Sequence, residues 1–360
     1  MSTRIYALPI EQTNWHVPSG STTVFDWEYD EGRDRLLSLY EKGKQRQWDG
    51  AERLDWSIEV DHNDPMGVPE QTIAIYGSRV WDSLGPAERG TIRHHLASWQ
   101  FSQFLHGEQG ALICASKIVH TVPELDAKFY AATQVVDEAR HVEVYSRYLR
   151  EKLELAYPIN PGLKALLNDV ISDSRWDMTY LGMQVLIEGL ALAAFGLIRD
   201  NAVEPLARAL NTYVMQDESR HVAFGRLALR EFYPQLTQAE RDEREDFCIE
   251  ACHMMQQRFI GEEVWRNLDI DADECMEYMR NSEHFRLFQS HLFSRIVPTL
   301  SDIGLFSDKM KRTFGEMGVI GYEQYDIDKI MEEDERIASD LNRARIEQVE
   351  EAIALGGDED

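Results

Sequence analysis

Positive charge is scarce in this 360-residue chain: 37 Lys and Arg stand against 64 Asp and Glu, a formal net charge of −27. That excludes nucleic acid as the expected partner, because phosphate backbones are held by basic patches, and it is a poor match for an anionic membrane surface. The excess serves solubility or the docking of a basic electron-transfer partner. Cysteine is scarce too. The four present, Cys114, Cys248, Cys252 and Cys275, form no CxxC pair, which excludes a rubredoxin-type iron site and reads as free thiols in a reducing cytosol. Polar residues interrupt every apolar run before about 18 residues, so no transmembrane helix is expected. Met1 to Trp15 lacks a basic start followed by an apolar run, so no signal peptide is expected and the location reads as cytoplasmic. Strand-like alternation is absent, as are flavin, nicotinamide and iron–sulfur motifs.

Helical periodicity dominates what is there. Residues 1 to about 30 read as irregular. Helices are predicted over Glu31 to about Trp48, Glu70 to Leu84, Ala87 to about Val119, Pro123 to Leu155, Leu163 to Ile171, Asp173 to about Ile198, and from the turn near Pro205 to Phe232. A further one runs from Thr237 to about Leu268, opened by the capping box Thr237-Gln238-Ala239-Glu240. Tyr325 to Asp360 is acidic and helical, with a frayed Gly-Gly-Asp-Glu-Asp tail. The organisation reads as a segment 1–85 packing on a bundle 86–235, additional helices 236–325 of the same domain, and an acidic helix and tail 326–360.

Two stretches are near-repeats: Asp137-Glu138-Ala139-Arg140-His141 and Asp217-Glu218-Ser219-Arg220-His221. Each has a Glu thirty residues upstream, Glu108 and Glu188. The midpoints fall at Pro123 and at position 203, both in predicted turns, so about 15 residues, roughly 22 Å of helix, lie on either side. Each hairpin therefore holds its two glutamates at one height. His141 and His221 follow their glutamates by three positions and share their helix face. Four glutamates and two histidines converge in one core, the ligand set of a two-metal carboxylate site in a four-helix bundle. Carboxylates bridge hard cations, and imidazoles complete the shell while leaving positions for water and dioxygen. Glu188 lies in the apolar stretch Leu186-Ile187-Glu188-Gly189-Leu190-Ala191-Leu192, where a carboxylate without a cation is hard to bury. Asp137 and Asp217 are placed to accept the outer ring N–H of a ligand histidine. Arg140 and Arg220 either pair with such carboxylates or form ordinary surface salt bridges. The other histidines, His106 and His120 among them, read as non-ligands.

At these residues the sequence resembles the ferritin-like, oxygen-activating di-iron carboxylate proteins. Its Asp-Glu-x-Arg-His pair is similar to that of the hydroxylase subunits of bacterial multicomponent monooxygenases and of acyl-carrier-protein desaturases. The resemblance covers about Ala87 to Phe232. It implies an all-α fold, a ferritin-like four-helix bundle with additional flanking helices. It also implies two iron ions, with a manganese–iron pair as the variant, Glu108, Glu138 and His141 serving one metal, Glu188, Glu218 and His221 the other, and Glu138 and Glu218 bridging. The pocket it implies is lined by Phe104, Ala111, Leu112, Ala115, Gln184, Ala191, Leu192, Phe195 and Val214, which suits a hydrophobic or aromatic small molecule. Arylamine N-oxygenases of this superfamily carry an extra His one turn before the last Glu; Val214 stands there, which disfavours that activity. A radical-bearing role like that of the ribonucleotide reductase subunit needs a Tyr near the metals, and Tyr145 is the one candidate. The leading expectation is a monooxygenase or hydroxylase using dioxygen and electrons from a separate reductase, with a homodimer as the default assembly. The alternatives are a desaturase, a ligand-binding oxidase with a manganese–iron centre, and a non-catalytic iron-binding or ferroxidase protein.

Overall fold

The computed structural model describes residues 20–23 and 33–356. Most of the expected irregular start and all but Gly356 of the tail lie outside the described residues. The structure is 77 % helical, more than twice the base rate of about one third, and holds no strand among the described residues. Helices α1 (Asp34–Gln45), α2 (Pro86–Thr121), α3 (Leu125–Tyr148), α4 (Pro161–Ser172), α5 (Trp176–Asn201) and α6 (Pro205–Phe232) build the half that carries the two motifs. Helices α7 (Gln238–Arg258), α8 (Glu262–Asn267), α9 (Ala272–Asn281), α10 (Glu283–His291), α11 (Ile296–Asp302), α12 (Asp308–Glu316) and α13 (Ile327–Gly356) flank it.

Local chemistry sets the helix ends. Pro86 starts α2 with its fixed φ, and Glu88 reaches back to accept from the Gly85 N–H at 2.7 Å. Asn160 caps α4 at the Gly162 N–H, 2.9 Å, and Glu204 caps α6 at the Leu206 N–H, 3.0 Å. The expected capping box opens α7, with Glu240 accepting from the Thr237 N–H at 2.8 Å. The turns between α2 and α3 and between α5 and α6 fall at 122–124 and 202–204, where the midpoint arithmetic puts them. The two pairs, α2 with α3 and α5 with α6, form a ferritin-like four-helix bundle. α1 lies across α3 and α6, and α13 packs on α6, pinned to the end of α1 by Arg46 and Glu335 at 2.6 Å.

Three segments differ from expectation. Glu70 to Leu84 is not one helix: a single turn, Glu70–Thr72, and a short helix, Arg79–Ser83, are separated where Gly77 takes φ +77° and Ser78 caps the next turn. Thr237 to Leu268 breaks after Arg258 because Gly261 sits at φ +62°, a left-handed conformation that stops a helix. Third, α5 is long and apolar enough to cross a membrane, 26 residues with a mean hydropathy of 1.9 over its most apolar window. Yet 83 % of that window is buried inside the protein. A central core helix and a membrane span share one composition, and here the protein itself is the apolar surroundings.

Within α5, Leu181–Ile187 is π-helical. The extra residue in that turn, directly before Glu188, resets which side chains face the bundle. Close approach of α5 and α6 requires Gly225: a Cβ there would stand 2.5 Å from the Gln184 Cβ. At Gly107, by contrast, a Cβ meets nothing within 4 Å. Gly225→Ala is therefore expected to lower stability by about 1–3 kcal/mol through overpacking. Gly107→Ala is expected to raise it by about 0.5–1 kcal/mol. Paired thermal melts check this; equal melting temperatures for the two variants would contradict the packing described.

Candidate metal centre

α2, α3, α5 and α6 each send one glutamate into the bundle. Glu108, Glu138, Glu188 and Glu218 are at most 5 % exposed, and His141 and His221 are fully buried. Their donor atoms fall into two sets, each within 4.8 Å: Glu108, Glu138, His141 and Glu218, and Glu138, Glu188 and His221. Glu138 belongs to both. His141 Nδ1 lies 3.2 Å from Glu108 Oε2, 3.3 Å from Glu138 Oε2 and 3.1 Å from Glu218 Oε1. His221 Nδ1 lies 3.1 Å from Glu138 Oε1 and 3.4 Å from Glu218 Oε1. Both imidazoles thus approach both glutamates of the two repeated motifs. All six residues singled out by spacing are brought together.

The arrangement fits two divalent cations on three counts. Glu138 Oε2, Glu188 Oε2, both Glu218 oxygens and His221 Nδ1 are buried with no hydrogen-bond partner, an arrangement too costly for a core unless a cation takes the lone pairs. Adjacent donors on an octahedral ion with bonds near 2.1 Å stand about 3 Å apart, close to the separations above. Charge closes the argument. The four glutamates with Asp137 and Asp217 face only the guanidiniums of Arg140 and Arg220. Two divalent cations neutralise the remaining four negative charges.

Asp137 and Asp217 do accept from the histidines, but crosswise. His141 Nε2 lies 3.1 Å from Asp217 Oδ2, and His221 Nε2 lies 3.3 Å from Asp137 Oδ2. Each motif orients the imidazole of the other. Arg140 spans both aspartates, at 2.5 and 2.8 Å, and Arg220 donates to Asp217 at 2.5 Å. Both arginines are at most 7 % exposed, so the surface-salt-bridge alternative falls.

The structure adds residues that spacing did not reveal. Gln134, one turn before Glu138, donates to both Glu138 Oε1 and Glu188 Oε1 at 2.9 Å. A glutamine at the i−4 position of a motif glutamate was the available signal. Beyond the end of α1, Gln47 donates to Asp137 at 2.7 Å and Trp48 Nε1 to Asp217 at 2.8 Å. These bonds span 90 and 169 positions, and no local pattern announces them. His106 bonds the Tyr157 carbonyl at 2.9 Å, clear of the cluster as expected. Tyr145 donates to Asn211 at 3.1 Å.

Burial pushes the Glu108 and Glu188 carboxyls well up, with the Glu218 charge adding to both. At Glu138 burial acts the same way, but the flanking imidazoles overcome it and hold that carboxyl low. Burial alone would strip the proton from His141; the Glu108 charge and the bond to Asp217 reverse this and hold it well up. His221 is raised likewise, with Glu218 and Glu138 overcoming burial.

Of the expected pocket, Phe104, Ala111, Ala191 and Phe195 line a small chamber against Glu108, Glu188 and Glu218. Leu112, Ala115, Gln184, Leu192 and Val214 do not. Leu192 and Val214 instead pack with Tyr145 in an apolar cluster, because side chains one turn away on the other helix face point into neighbouring layers.

A family model described as p-aminobenzoate N-oxygenase AurF matches residues 30–304. No curated protein matches the chain. Among solved structures, a point mutant of an R2-like ligand-binding oxidase with anaerobically reconstituted Mn/Fe cofactor overlaps with a TM-score of 0.49 at 18 % identity, covering 78 % of this chain and 96 % of that one. An R2-like ligand-binding oxidase with aerobically reconstituted Mn/Fe cofactor overlaps with a TM-score of 0.44 at 21 % identity, covering 74 % and 94 %. Overlaps this loose carry no argument about chemistry.

Metals displace protons from these groups. Uptake of two divalent ions is therefore expected to release protons, and affinity to fall as pH falls, because protons then compete with the metals for the raised groups. A pH-indicator titration measures this; release of none would contradict the charge balance. Asp217→Asn, which replaces the carboxylate facing His141 and the two arginines with a neutral amide, is expected to weaken metal binding by about 10- to 100-fold, read by competition with a chelating dye.

Proposed function

The chain belongs to the AurF family of di-iron oxygenases, and from that premise we propose that it is a monooxygenase that places one atom of dioxygen on a small hydrophobic or aromatic molecule. The coarser statement, a non-haem di-iron, oxygen-activating oxidoreductase, follows from the family and the buried carboxylate–histidine cluster together. The observation that carries the reading is the set of orphaned buried donors on Glu138, Glu188, Glu218 and His221 beside an apolar chamber.

In this reading Glu108, Glu138 and His141 would hold one metal and Glu188, Glu218 and His221 the other, with Glu138 and Glu218 within reach of both. A di-iron or manganese–iron pair bound there would supply the redox chemistry that activates dioxygen. The chain's own residues do the rest. Asp137 and Asp217 keep a proton on each Nε2, so that each Nδ1 presents its lone pair inward. Gln134 fixes one oxygen each of Glu138 and Glu188 and leaves the others to the metals. Phe104 and Phe195, edge to face at 4.7 Å, keep bulk water from the chamber and present ring surface to a substrate. Reducing equivalents are assigned to a separate reductase.

A second reading, N-oxygenation of an arylamine, is favoured by the family match over 30–304. Against it, Val214 stands where arylamine N-oxygenases of this superfamily carry an extra histidine. Val214 is fully buried among apolar side chains, and no imidazole stands in its place.

Protein loaded with Fe(II), or Mn(II) and Fe(II), is expected to hold two metals per chain, and Glu188→Ala one. A Glu188→Ala protein with full metal content would refute the ligand assignment. Products formed under labelled dioxygen decide the reaction: label on carbon supports the first reading, label on an arylamine nitrogen the second, and unlabelled oxidised product sinks both.

A further inference from the structure

A continuous file of aromatic rings runs from the metal centre to the surface. Tyr130 on α3 sets its ring edge-on to the His221 imidazole, 6.5 Å between centres. Phe224, three positions after His221 on α6, stands 4.4 Å from Tyr130 and 5.0 Å from Tyr180 on α5. Trp176, one turn before Tyr180, lies 5.5 Å from it and 4.6 Å from Phe232. Spacings of three and four keep His221 with Phe224, and Trp176 with Tyr180, on one face of their helices. Tyr130, Tyr180 and Phe224 are at most 1 % exposed. Trp176 and Phe232 are half-buried and wall an outer pocket of about 510 Å³ with Arg33, Asp126 and Glu231. We propose that this file is an electron-transfer path: Trp176, restored by a small polar reductant in the outer pocket, supplies electrons to the metal pair when dioxygen is reduced with no substrate bound. This rests on the oxygenase reading above.

Reduction of dioxygen to two waters takes four electrons and four protons. One electron from each of two Fe(II) ions covers half, and without a substrate the other two have to come from the protein or from solution. Electron transfer weakens steeply with distance, so rings in contact outrun one long step. Trp176 is suited to be the outer donor, because an indole gives up an electron before its proton. Tyr130 and Tyr180 are suited to pass electrons without keeping the vacancy. Their hydroxyls are buried with no hydrogen-bond partner, and burial holds both phenols in the protonated form. Neither has a base to take the proton that a phenol sheds on oxidation, so the vacancy comes to rest on Trp176. In the pocket, ascorbate gives two electrons and sheds its protons to solvent as it becomes dehydroascorbate, which restores the indole. With no reductant, the indole loses two electrons and two protons and gains the oxygen of one water. The pocket's volume suits a small molecule.

Fe(II)-loaded protein exposed to dioxygen without substrate, with catalase present, tests this by peptide mass spectrometry. Trp176 is expected to gain one oxygen atom. Trp56, also half-buried but outside the file, should stay unmodified, whereas an oxidant free in solution would reach both. Ascorbate should suppress the gain. Phe224→Leu, which removes the ring between Tyr130 and Tyr180, should lose the modification at Trp176 with metal content unchanged. Freeze-quenched wild type should show an indole radical by electron paramagnetic resonance, and Trp176→Phe should lack it. Equal modification of Trp56 and Trp176, or Phe224→Leu that oxidises Trp176 as wild type does, would overturn the path and leave the rings as packing. Metal content and dioxygen uptake are read separately. Loaded protein that consumes no dioxygen would sink the oxygenase reading and the path with it; uptake that leaves Trp176 intact would sink the path alone.

Discussion

Four carboxylates pointing at one another inside an apolar bundle are tolerable only if positive charge joins them, and much of the architecture answers to that constraint. The α2–α3 and α5–α6 hairpins put the glutamates at one height. The histidines supply neutral donors with room between them. Arg140 and Arg220 balance the two aspartates, so that the four charges left over belong to the glutamates. The same constraint explains why the outer elements are needed. Gln47 and Trp48, delivered by α1, complete hydrogen bonding to Asp137 and Asp217, oxygens that would otherwise compete for the metals.

The six inward residues were legible because they obey local arithmetic: a period of thirty across a turn and of three within a helix turn. The helix pairs were legible for the same reason. What escaped is long-range or conformational. The π turn at Leu181–Ile187 has no sequence marker, since it exists through packing against α4 and α6. Gly77 and Gly261 ended helices that periodicity carried through them, because a pattern of apolar residues does not report φ. The chamber was half legible. Phe104, Ala111, Ala191 and Phe195 were found by counting one turn from the ligands, but Arg258 enters from α7, a helix outside the bundle.

The crossed pairing of the two motifs bears on how the protein assembles. His141 is oriented by Asp217 and His221 by Asp137, so neither hairpin contains a finished half-site. A chain that has made only α2 and α3 lacks the aspartate that orients His141. Tight uptake waits until both hairpins have docked. The completed site is therefore a property of the closed bundle and of neither half alone.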